Sequence, residues 1–307
     1  MKQRNNSPYT IHSISDLHRL LALPKPVHPL VSMIKLEDLK DACLTIPGSF
    51  VYDFYSICIK KDFKGKLKYG QHYYDFDEGV MTFFSPGQVI ATEVNDEMAI
   101  NGWWLVIHPD FLMPYPVGQS IKKLGFFSYA VNEALHLSEQ EELIITTIMQ
   151  NIKQEYASSL DLFSHDLIIS HLELLLNYSN RFYNRQFITR KNASNDLLIK
   201  LEALLSDYFN SDKVTTYGLP TVQYLSEQLH MSANYLSDVL RTLTGQSTQQ
   251  HIHNKLIEKA KETLSTTSLS VSEIAYQLGF EYPQSFSKLF KIKTEVSPLE
   301  FRQSFEN

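Results

Sequence analysis

The sequence predicts an N-terminal β-barrel with a helical dimerisation segment, followed by an all-α domain that contains two helix-turn-helix units. Residues 45–110 hold short β-branched and aromatic runs between turn signals, which is typical of strands. From Ser138 onward the apolar residues recur with a helical period. A pattern of two short amphipathic helices occurs twice, at Thr221–Gly245 and at Ser270–Glu295. We therefore predict a barrel at 1–137, a dimerisation segment at 138–183, a linker at 184–195 and the all-α domain at 196–307.

The composition is that of an ordinary globular protein. The chain has 307 residues, enough for two cores, with 43% hydrophobic and 20% charged residues. It has no apolar run long enough to span a membrane, and its polar first ten residues indicate no signal peptide. Cys43 and Cys58 have no metal-ligand spacing, and we expect two buried thiols in preference to a disulfide. These features predict a cytoplasmic protein with no membrane partner.

The charge is distributed unevenly along the chain. The net charge is −6, yet residues 181–307 hold 14 Lys/Arg against 13 Asp/Glu, while residues 1–180 hold 14 against 21. Non-specific affinity for DNA rises with the number of phosphates that a protein neutralises. We therefore expect modest non-specific binding, and specific binding that depends on geometry and dimerisation.

Four segments in the first part of the chain predict strands. They are rich in aromatic and β-branched residues and are bounded by Pro-Gly, Lys-Gly and Ser-Pro-Gly turn signals. Short strands at this spacing indicate a sandwich or a small barrel. The predicted strands are Val51–Ile59, Lys66–Phe76, Val80–Phe84 and Gly102–His108.

Two helices follow the strands. The first begins at a capping box formed by Ser138 and Glu141. The second, at about 161–183, is too apolar to face water on most sides, so it packs either on the barrel or on its copy in a second subunit. We predict a homodimer through this helix, with an interface formed by Leu167, Ile168, Leu172, Leu175 and Leu176.

The repeated pattern has the same apolar and polar positions in both copies. In the first copy, Ser232 is the predicted N-cap of a helix at Ala233–Leu243. In the second copy, Ser270 and Glu273 form a capping box, Gly279 closes the first helix, and Pro283 lies in the first turn of the next helix. A helix-turn-helix places its second helix in the DNA major groove. The outward-facing residues of the two second helices are Asn234, Ser237, Asp238, Arg241, Gln284, Ser285, Lys288 and Lys291.

Residues 196–302 resemble the DNA-binding domain of the AraC/XylS family of bacterial transcription regulators. The most specific matches are an Ile-Ala-x-x-x-Gly-Phe stretch, then Phe-Ser-x-x-Phe-Lys, then Pro-x-x-Phe-Arg. They comprise Ile274–Ala275, Gly279–Phe280, Phe286–Ser287, Phe290–Lys291, Pro298 and Phe301–Arg302. The chain departs from the family at Lys255, where Arg is usual, and at His230 and Glu295, where Gly is usual. At Glu295 we expect a strained turn or a shifted cap.

The resemblance implies two helix-turn-helix units joined by a long helix at about His251–Leu264. It implies double-stranded promoter or operator DNA as the partner, and RNA polymerase as a further one. Asp238 is unusual because an acid in the groove is repelled by phosphate unless it accepts from a cytosine amine. Carried over position by position, the base-facing residues are Asn234, Ser237 and Asp238, then Pro283, Gln284, Ser285 and Lys288, while Arg241 and Lys291 match positions on the phosphate side.

The first domain resembles the cupin-like sensor barrel of the same family through the stretch Gly79–Gly87. His72 and His108 each stand alone in the sequence, so we predict no metal site and no cofactor. The many aromatic residues either fill the barrel or leave a cavity for a small organic effector. The predicted effector pocket contains His72, Tyr74 and Trp103.

Three hypotheses about function follow. The leading one is a sequence-specific transcription regulator that responds to a small-molecule effector. A second is a cupin enzyme fused to a DNA-binding domain, although the sequence contains no nucleophile–base spacing and no glycine-rich phosphate loop. A third is an effector-independent regulator whose barrel only dimerises. We predict no catalytic residue and hence no enzyme.

Overall fold

A computed structural model describes most of the chain. The described residues are 9–39, 49–61, 66–69, 72–75, 79–91, 101–130, 133–158, 163–189 and 191–306. The chain divides into two compact units, Met1–Gln186 and Phe187–Asn307. Each unit is described separately below.

Ten strands are described in the N-terminal unit, and they form three sheets. The largest sheet has five strands in the order β10-β7-β4-β9-β2, all antiparallel. A three-stranded sheet has the order β1-β3-β8, and β5 pairs with β6 in a hairpin. The strands are β1 Tyr9–Ile11, β2 Val31–Lys35, β3 Ser49–Tyr52, β4 Tyr55–Lys61, β5 Lys66–Tyr69, β6 His72–Asp75, β7 Gly79–Phe84, β8 Val89–Ala91, β9 Asn101–Ile107 and β10 Leu135–Leu137.

The strand boundaries correct two of the sequence predictions. The run predicted as one strand at Val51–Ile59 is divided between β3 and β4, which belong to different sheets. The chain bends at Asp53, and the side chain of Phe54 is fully buried. Lys66–Phe76 was likewise predicted as one strand and forms the hairpin β5–β6. Both errors arise because a continuous run of strand-forming residues does not show where the chain turns.

An aromatic cluster lies between the five-stranded and the three-stranded sheets. Tyr52 is stacked on Phe54 with ring centroids 4.8 Å apart, and its ring lies 5.9 Å from that of Trp104. The indole nitrogen of Trp104 donates to the hydroxyl of Ser56 at 2.7 Å, which satisfies two buried polar groups. The apolar side chains of β1, β3, β8 and α1 (Ile14–Leu20) complete this core. Cys58 is buried in the same cluster, whereas Cys43 lies outside the described residues.

Four further α-helices are described in the N-terminal unit, and the last of them continues past the end of that unit. They are α2 Pro109–Leu112, α3 Val117–Ser120, α4 Glu139–Ala157 and α5 Ser164–Thr189. The predicted capping box at the start of α4 is present, since Ser138 accepts from the amide of Glu141 and the Glu141 carboxylate accepts from the amide of Ser138. Within the described residues no helix combines the length and the apolar content that crossing a bilayer requires.

Helix α5 packs against other elements of the N-terminal unit. The ring of Tyr183 is stacked on Phe126, and Arg185 binds both the Glu141 carboxylate and the carbonyl of His136. The predicted dimer interface is wrong for four of its five residues, because their side chains are already buried within the single chain and are at most 4% exposed. Those four are Ile168, Leu172, Leu175 and Leu176; only Leu167, at 44% exposed, lies on the surface.

The segment 184–195 differs from the linker that the sequence predicts. Helix α5 continues to Thr189, and the next helix begins at Lys191. The division between the two compact units falls between Gln186 and Phe187, inside α5. The polar composition of the segment indicated a loop, but Arg, Lys, Gln and Ala are also good helix formers.

The second unit is helical throughout its described residues. Its helices are α6 Lys191–Phe209, α7 Lys213–Tyr217, α8 Val222–Gln228, α9 Ala233–Thr244, α10 Thr248–Thr266, α11 Val271–Gln277, α12 Pro283–Thr294 and α13 Pro298–Glu306. Helix α10 packs against α6, α9, α11 and α13, so it joins the two repeated segments. This helix was predicted at His251–Leu264 and is slightly longer than predicted.

Candidate nucleic-acid interface

The first repeated segment forms a helix-turn-helix from α8 and α9. Ser232 is the N-cap of α9, as predicted, and its hydroxyl accepts from the amide of Tyr235 at 3.2 Å. Leu236 and Leu240 are fully buried, which holds the inner face of α9 against the rest of the domain. The helix ends at Gly245, whose φ of +73° places it in the left-handed region. These local features orient the opposite face of α9 outward.

The second repeated segment forms the same structure from α11 and α12. The predicted capping box of Ser270 and Glu273 is present at the start of α11, and its hydrogen bonds lower the pKa of the Glu273 carboxyl. Phe286 and Phe290 on the inner face of α12 are fully buried. Pro283 occupies the first turn of α12, where its missing N–H has no partner to lose.

The two turns between paired helices have the same hydrogen-bond pattern. The amide of Met231 donates to the carbonyl of Ser226, and the amide of Phe280 donates to that of Ala275. Both turns therefore close as Schellman motifs, with a left-handed residue one position earlier. That residue is Gly279 in the second unit, with φ of +81°, and His230 in the first, with φ of +56°.

Two basic residues tie the linking helix α10 to its neighbours. The ammonium of Lys255 binds the Glu202 carboxylate of α6 at 3.0 Å, and this hydrogen bond is the main reason why the pKa of Lys255 is raised. The guanidinium of Arg302 on α13 donates to the carbonyl of Leu264 in the last turn of α10. Lys255 thus forms an ion pair in the position where the family usually has arginine.

The predicted contact residues of α9 do not all face outward. Asn234 and Arg241 are exposed, and the Arg241 guanidinium lies 3.0 Å from the carboxylate of Asp238. This ion pair neutralises the acid that appeared unsuited to the groove. Ser237 is half-buried, and its hydroxyl oxygen lies 3.0 Å from that of Thr248 on α10. Its predicted outward position is therefore incorrect, because its hydroxyl is directed toward α10.

The outer face of α12 carries the predicted contact residues of the second helix-turn-helix. Lys288 and Lys291 are exposed one turn apart, and Gln284 lies one turn before Lys288. Ser285 is also exposed, while Pro283 is half-buried. An amide and two cations on one exposed helix face can donate hydrogen bonds to base edges and phosphates.

One exposed residue at this site was missed by the sequence reasoning. Tyr282 immediately precedes α12, and its side chain is 59% exposed. The alignment of the two copies could have revealed it, because Leu236 aligns with Phe286 and the N-cap Ser232 therefore aligns with Tyr282.

The predicted effector residues are not gathered into one described site. Trp103 lies on the face of the large sheet opposite to Trp104, and the Lys153 ammonium on α4 lies 4.7 Å from its ring centroid. Neighbouring residues of a strand point to opposite faces, so Trp103 is directed toward α4 and away from the cluster that contains Trp104. Its role in an effector pocket stays a prediction. The side chains of His72 and Tyr74 lie outside what the structure describes.

A small cavity and the acidic and histidine side chains of the N-terminal unit bear on whether it binds a ligand. A cavity beside Phe83, Phe126 and Tyr183 measures about 10 Å³, room for no more than one water molecule. Among the residues described, no group of three or more His, Cys, Asp or Glu side chains is arranged to hold a metal ion.

Known proteins resemble this chain over stretches of different length. Residues 225–304 match the family described as "Helix-turn-helix domain". The chain is 23% identical over 273 residues to the uncharacterized HTH-type transcriptional regulator YfiF of Bacillus subtilis, covering 83% of this chain and 79% of that protein. It is 30% identical over 140 residues to the HTH-type transcriptional activator RhaS of Escherichia coli strain SE11, covering 46% of each.

One solved structure resembles about a third of this chain. The C-terminal domain of the response regulator yesN of Fusobacterium nucleatum is 30% identical, with 35% of this chain and 98% of that one covered and a TM-score of 0.31. The family match and the relatives identify residues 225–304 as a helix-turn-helix domain of the AraC type. The domain and the relatives support sequence-specific DNA-binding transcription regulation as the role of the chain, which confirms the resemblance seen in the sequence.

Proposed function

We propose that the chain regulates transcription by placing α9 and α12 in successive major-groove segments of one operator. The observation that carries this proposal is the exposed face of α12, where Gln284, Lys288 and Lys291 lie together opposite a fully buried inner face. Helix α10 packs against elements of both units and supports their fixed spacing. The composition predicts a cytoplasmic location, and the resemblance implies a contact with RNA polymerase; both belong to this proposal.

The test begins with the preferred DNA sequence, which selection from randomised duplexes with the full chain would identify. Replacing Gln284 or Lys288 with Ala should lower affinity for that duplex by about 1–3 kcal/mol, the usual value of one good base contact. Gln119→Ala and Lys122→Ala are matched controls, because these side chains are exposed in the N-terminal unit. Unchanged affinity in both α12 variants would exclude this helix from the groove.

We also propose a homodimer formed through the outer face of α5. Leu167 and Leu174 of α5 and Phe163, the residue just before α5, are exposed by 44%, 43% and 67%. Their spacings of four and seven residues are those of one helical stripe. A two-fold axis near Ser170 would set Leu167 of one helix against Leu174 of the antiparallel second copy. A self-complementary apolar stripe of this kind suits an isologous interface.

Light scattering tests the dimer. Leu174→Glu should shift the protein toward monomer without unfolding it, since this side chain contributes surface and not core. Leu143→Glu is the control, because Leu143 is 69% exposed on α4. A Leu174→Glu variant that remains fully dimeric would contradict an interface on this face.

We further propose that an effector acts through the N-terminal unit. This unit has its own core, and the candidate DNA contacts all lie in the other unit. A ligand that binds only the folded protein stabilises it by about 2.7 kcal/mol at a hundredfold excess over its dissociation constant. A melting-temperature screen of the full chain against sugars, aromatic acids and lipids tests this. The absence of any hit would favour a unit that only dimerises.

A further inference from the structure

The two recognition helices begin differently although their units are repeats. Helix α9 starts at Ser232, whose hydroxyl caps the helix. The matched position before α12 is Tyr282, whose side chain makes no capping hydrogen bond. Tyr cannot replace Ser here, because its hydroxyl lies too far from its own backbone to accept from the first turn. The second helix-turn-helix therefore lacks a capping hydrogen bond that the first helix-turn-helix has.

The side chain of Tyr282 is also unusually exposed for an aromatic residue. It is 59% accessible, whereas Phe280, two residues earlier, packs with its ring centroid 5.5 Å from that of Phe286. The core of the unit is thus formed without Tyr282. Tyr282 therefore replaces a better capping residue without contributing to the core. Such exceptions to local structural preference are expected at functional sites.

The position of Tyr282 relative to α12 suggests what it contacts. Residues at the N-terminal end of a recognition helix lie nearest to the base edges. Tyr282 adjoins Pro283, and Gln284 follows on the exposed side of the helix. A ring at this place presents apolar carbon to the groove, and the apolar group that the major groove offers is the methyl of thymine.

We infer that Tyr282 is a specificity-determining residue, whose ring packs on the methyl group of a thymine in the segment that α12 reads. This inference rests on the proposed function, since it requires α12 in the major groove. It adds an apolar contact to the amide and cationic contacts of Gln284 and Lys288. The first unit, with Ser232 at the same position, has no equivalent contact.

The test compares the full chain with its Tyr282→Ser variant on the selected duplex. Ser restores the residue of the first unit, so the variant should melt at a higher temperature. Its affinity should nevertheless fall, and selection should lose a preference for thymine at one position only. Replacing that thymine with deoxyuridine removes only the methyl, and it should weaken the wild type about fourfold, as expected for one methyl-sized group, but leave the variant unchanged.

Two further variants complete the experiment. Tyr282→Phe keeps the ring and should retain the thymine preference. Tyr276→Ser removes a tyrosine that is 56% exposed on α11, and it should also leave the thymine preference unchanged. A Tyr282→Ser variant that keeps both affinity and thymine preference would overturn the inference. If Gln284→Ala and Lys288→Ala still weaken binding in that case, only this inference fails; if they do not, the proposed role of α12 fails with it.

Discussion

Four residues at matched positions of the two units adopt left-handed backbone conformations. The turn within each unit has His230 or Gly279, and the end of each recognition helix has Gly245 or Glu295. A side chain other than glycine costs about 1–2 kcal/mol in this region. The sequence already marked His230 and Glu295 as departures from glycine, and the expected strain at Glu295 is present as a φ of +67°.

Replacing Glu295 with Gly should stabilise the second unit by about 1 kcal/mol, because the strain at a non-glycine residue would be relieved. The hydrogen bond from the amide of residue 295 to the carbonyl of Lys291 does not depend on the side chain and should persist. Urea denaturation measures the difference. An unchanged or lower free energy of unfolding would show that the Glu295 side chain compensates for its own strain.

Gly279 and Gly245 should respond differently to alanine although both have positive φ. A Cβ atom at Gly279 would lie 2.7 Å from the carbonyl oxygen of Val214 and 3.0 Å from the Cα atom of Gly218, whereas one at Gly245 meets nothing within 4 Å. Gly245→Ala should therefore cost about 1–2 kcal/mol from backbone strain alone. Gly279→Ala should cost clearly more by the same denaturation measurement. Equal losses would contradict the close backbone approach.

At the scale of secondary-structure elements, a histidine pair holds the start of α5. The amide of Leu30 donates to Nδ1 of His28, so a neutral His28 carries its proton on Nε2, which lies 3.3 Å from Nε2 of His165. The ring of Phe111 from α2 packs against both imidazoles. Burial, and secondly the nearby His165, lower the pKa of His28 below 6.5. The lowered pKa favours the neutral form of the His28 ring in this contact.

Acid should weaken this contact. Since the folded-state pKa of His28 is lowered, its stabilising contribution is complete above about pH 6.5 and is lost as the pH falls and the unfolded state takes up the proton. Nearby titratable groups include Asp166 and Tyr115, which are hydrogen-bonded to each other, and Tyr156, whose hydroxyl accepts from the amide of Val27. His108, the N-cap of α2, pairs with Asp110.

The expected result is a fall in melting temperature between pH 7.5 and 5.5 that is smaller in His28→Gln than in the wild type. His12→Gln is the control, because His12 is exposed and pairs with Asp53 away from α5. If both variants retain the wild-type pH dependence, the histidine pair does not contribute to it.

The elements were predicted with unequal success, for physical reasons. The helices of the second unit were found because caps such as Ser232 and Ser270 and an apolar stripe mark both their ends and their faces. The inner residues of α5 were assigned to a dimer because apolar density shows that a face is covered, but not by what. The contacts between α5 and the strands join residues that are far apart in sequence, such as Tyr183 and Phe83. A local sequence pattern cannot predict such pairs.

At the scale of the whole molecule, the charge distribution limits how DNA is bound. A net charge of −6 gives little general attraction to phosphate, so a few well-placed cations matter. Arg241 is partly neutralised by Asp238, whereas Lys288 and Lys291 are exposed on α12. The net charge of each part of the chain could be counted from the sequence. The Arg241–Asp238 ion pair could be recognised only from the geometry of α9.

Lys291→Ala should weaken binding to the selected duplex and to random duplexes by a similar factor, because a phosphate contact carries no sequence information. The slope of log affinity against log salt concentration should fall in magnitude by about 1. Lys288→Ala should instead reduce mainly the preference for the selected duplex. Fluorescence anisotropy at several salt concentrations measures both effects. A Lys291→Ala variant that changes only the sequence preference would reverse the assigned roles.

The central claim is that the two repeated units read two separate segments of one DNA face. The most direct test is selection from randomised duplexes with the wild type, Asn234→Ala and Gln284→Ala, which alter α9 and α12 separately. The account predicts that each variant relaxes the base preference in one block only, and that the two blocks lie about 10 base pairs apart. A single block affected by both variants, or by neither, would contradict it.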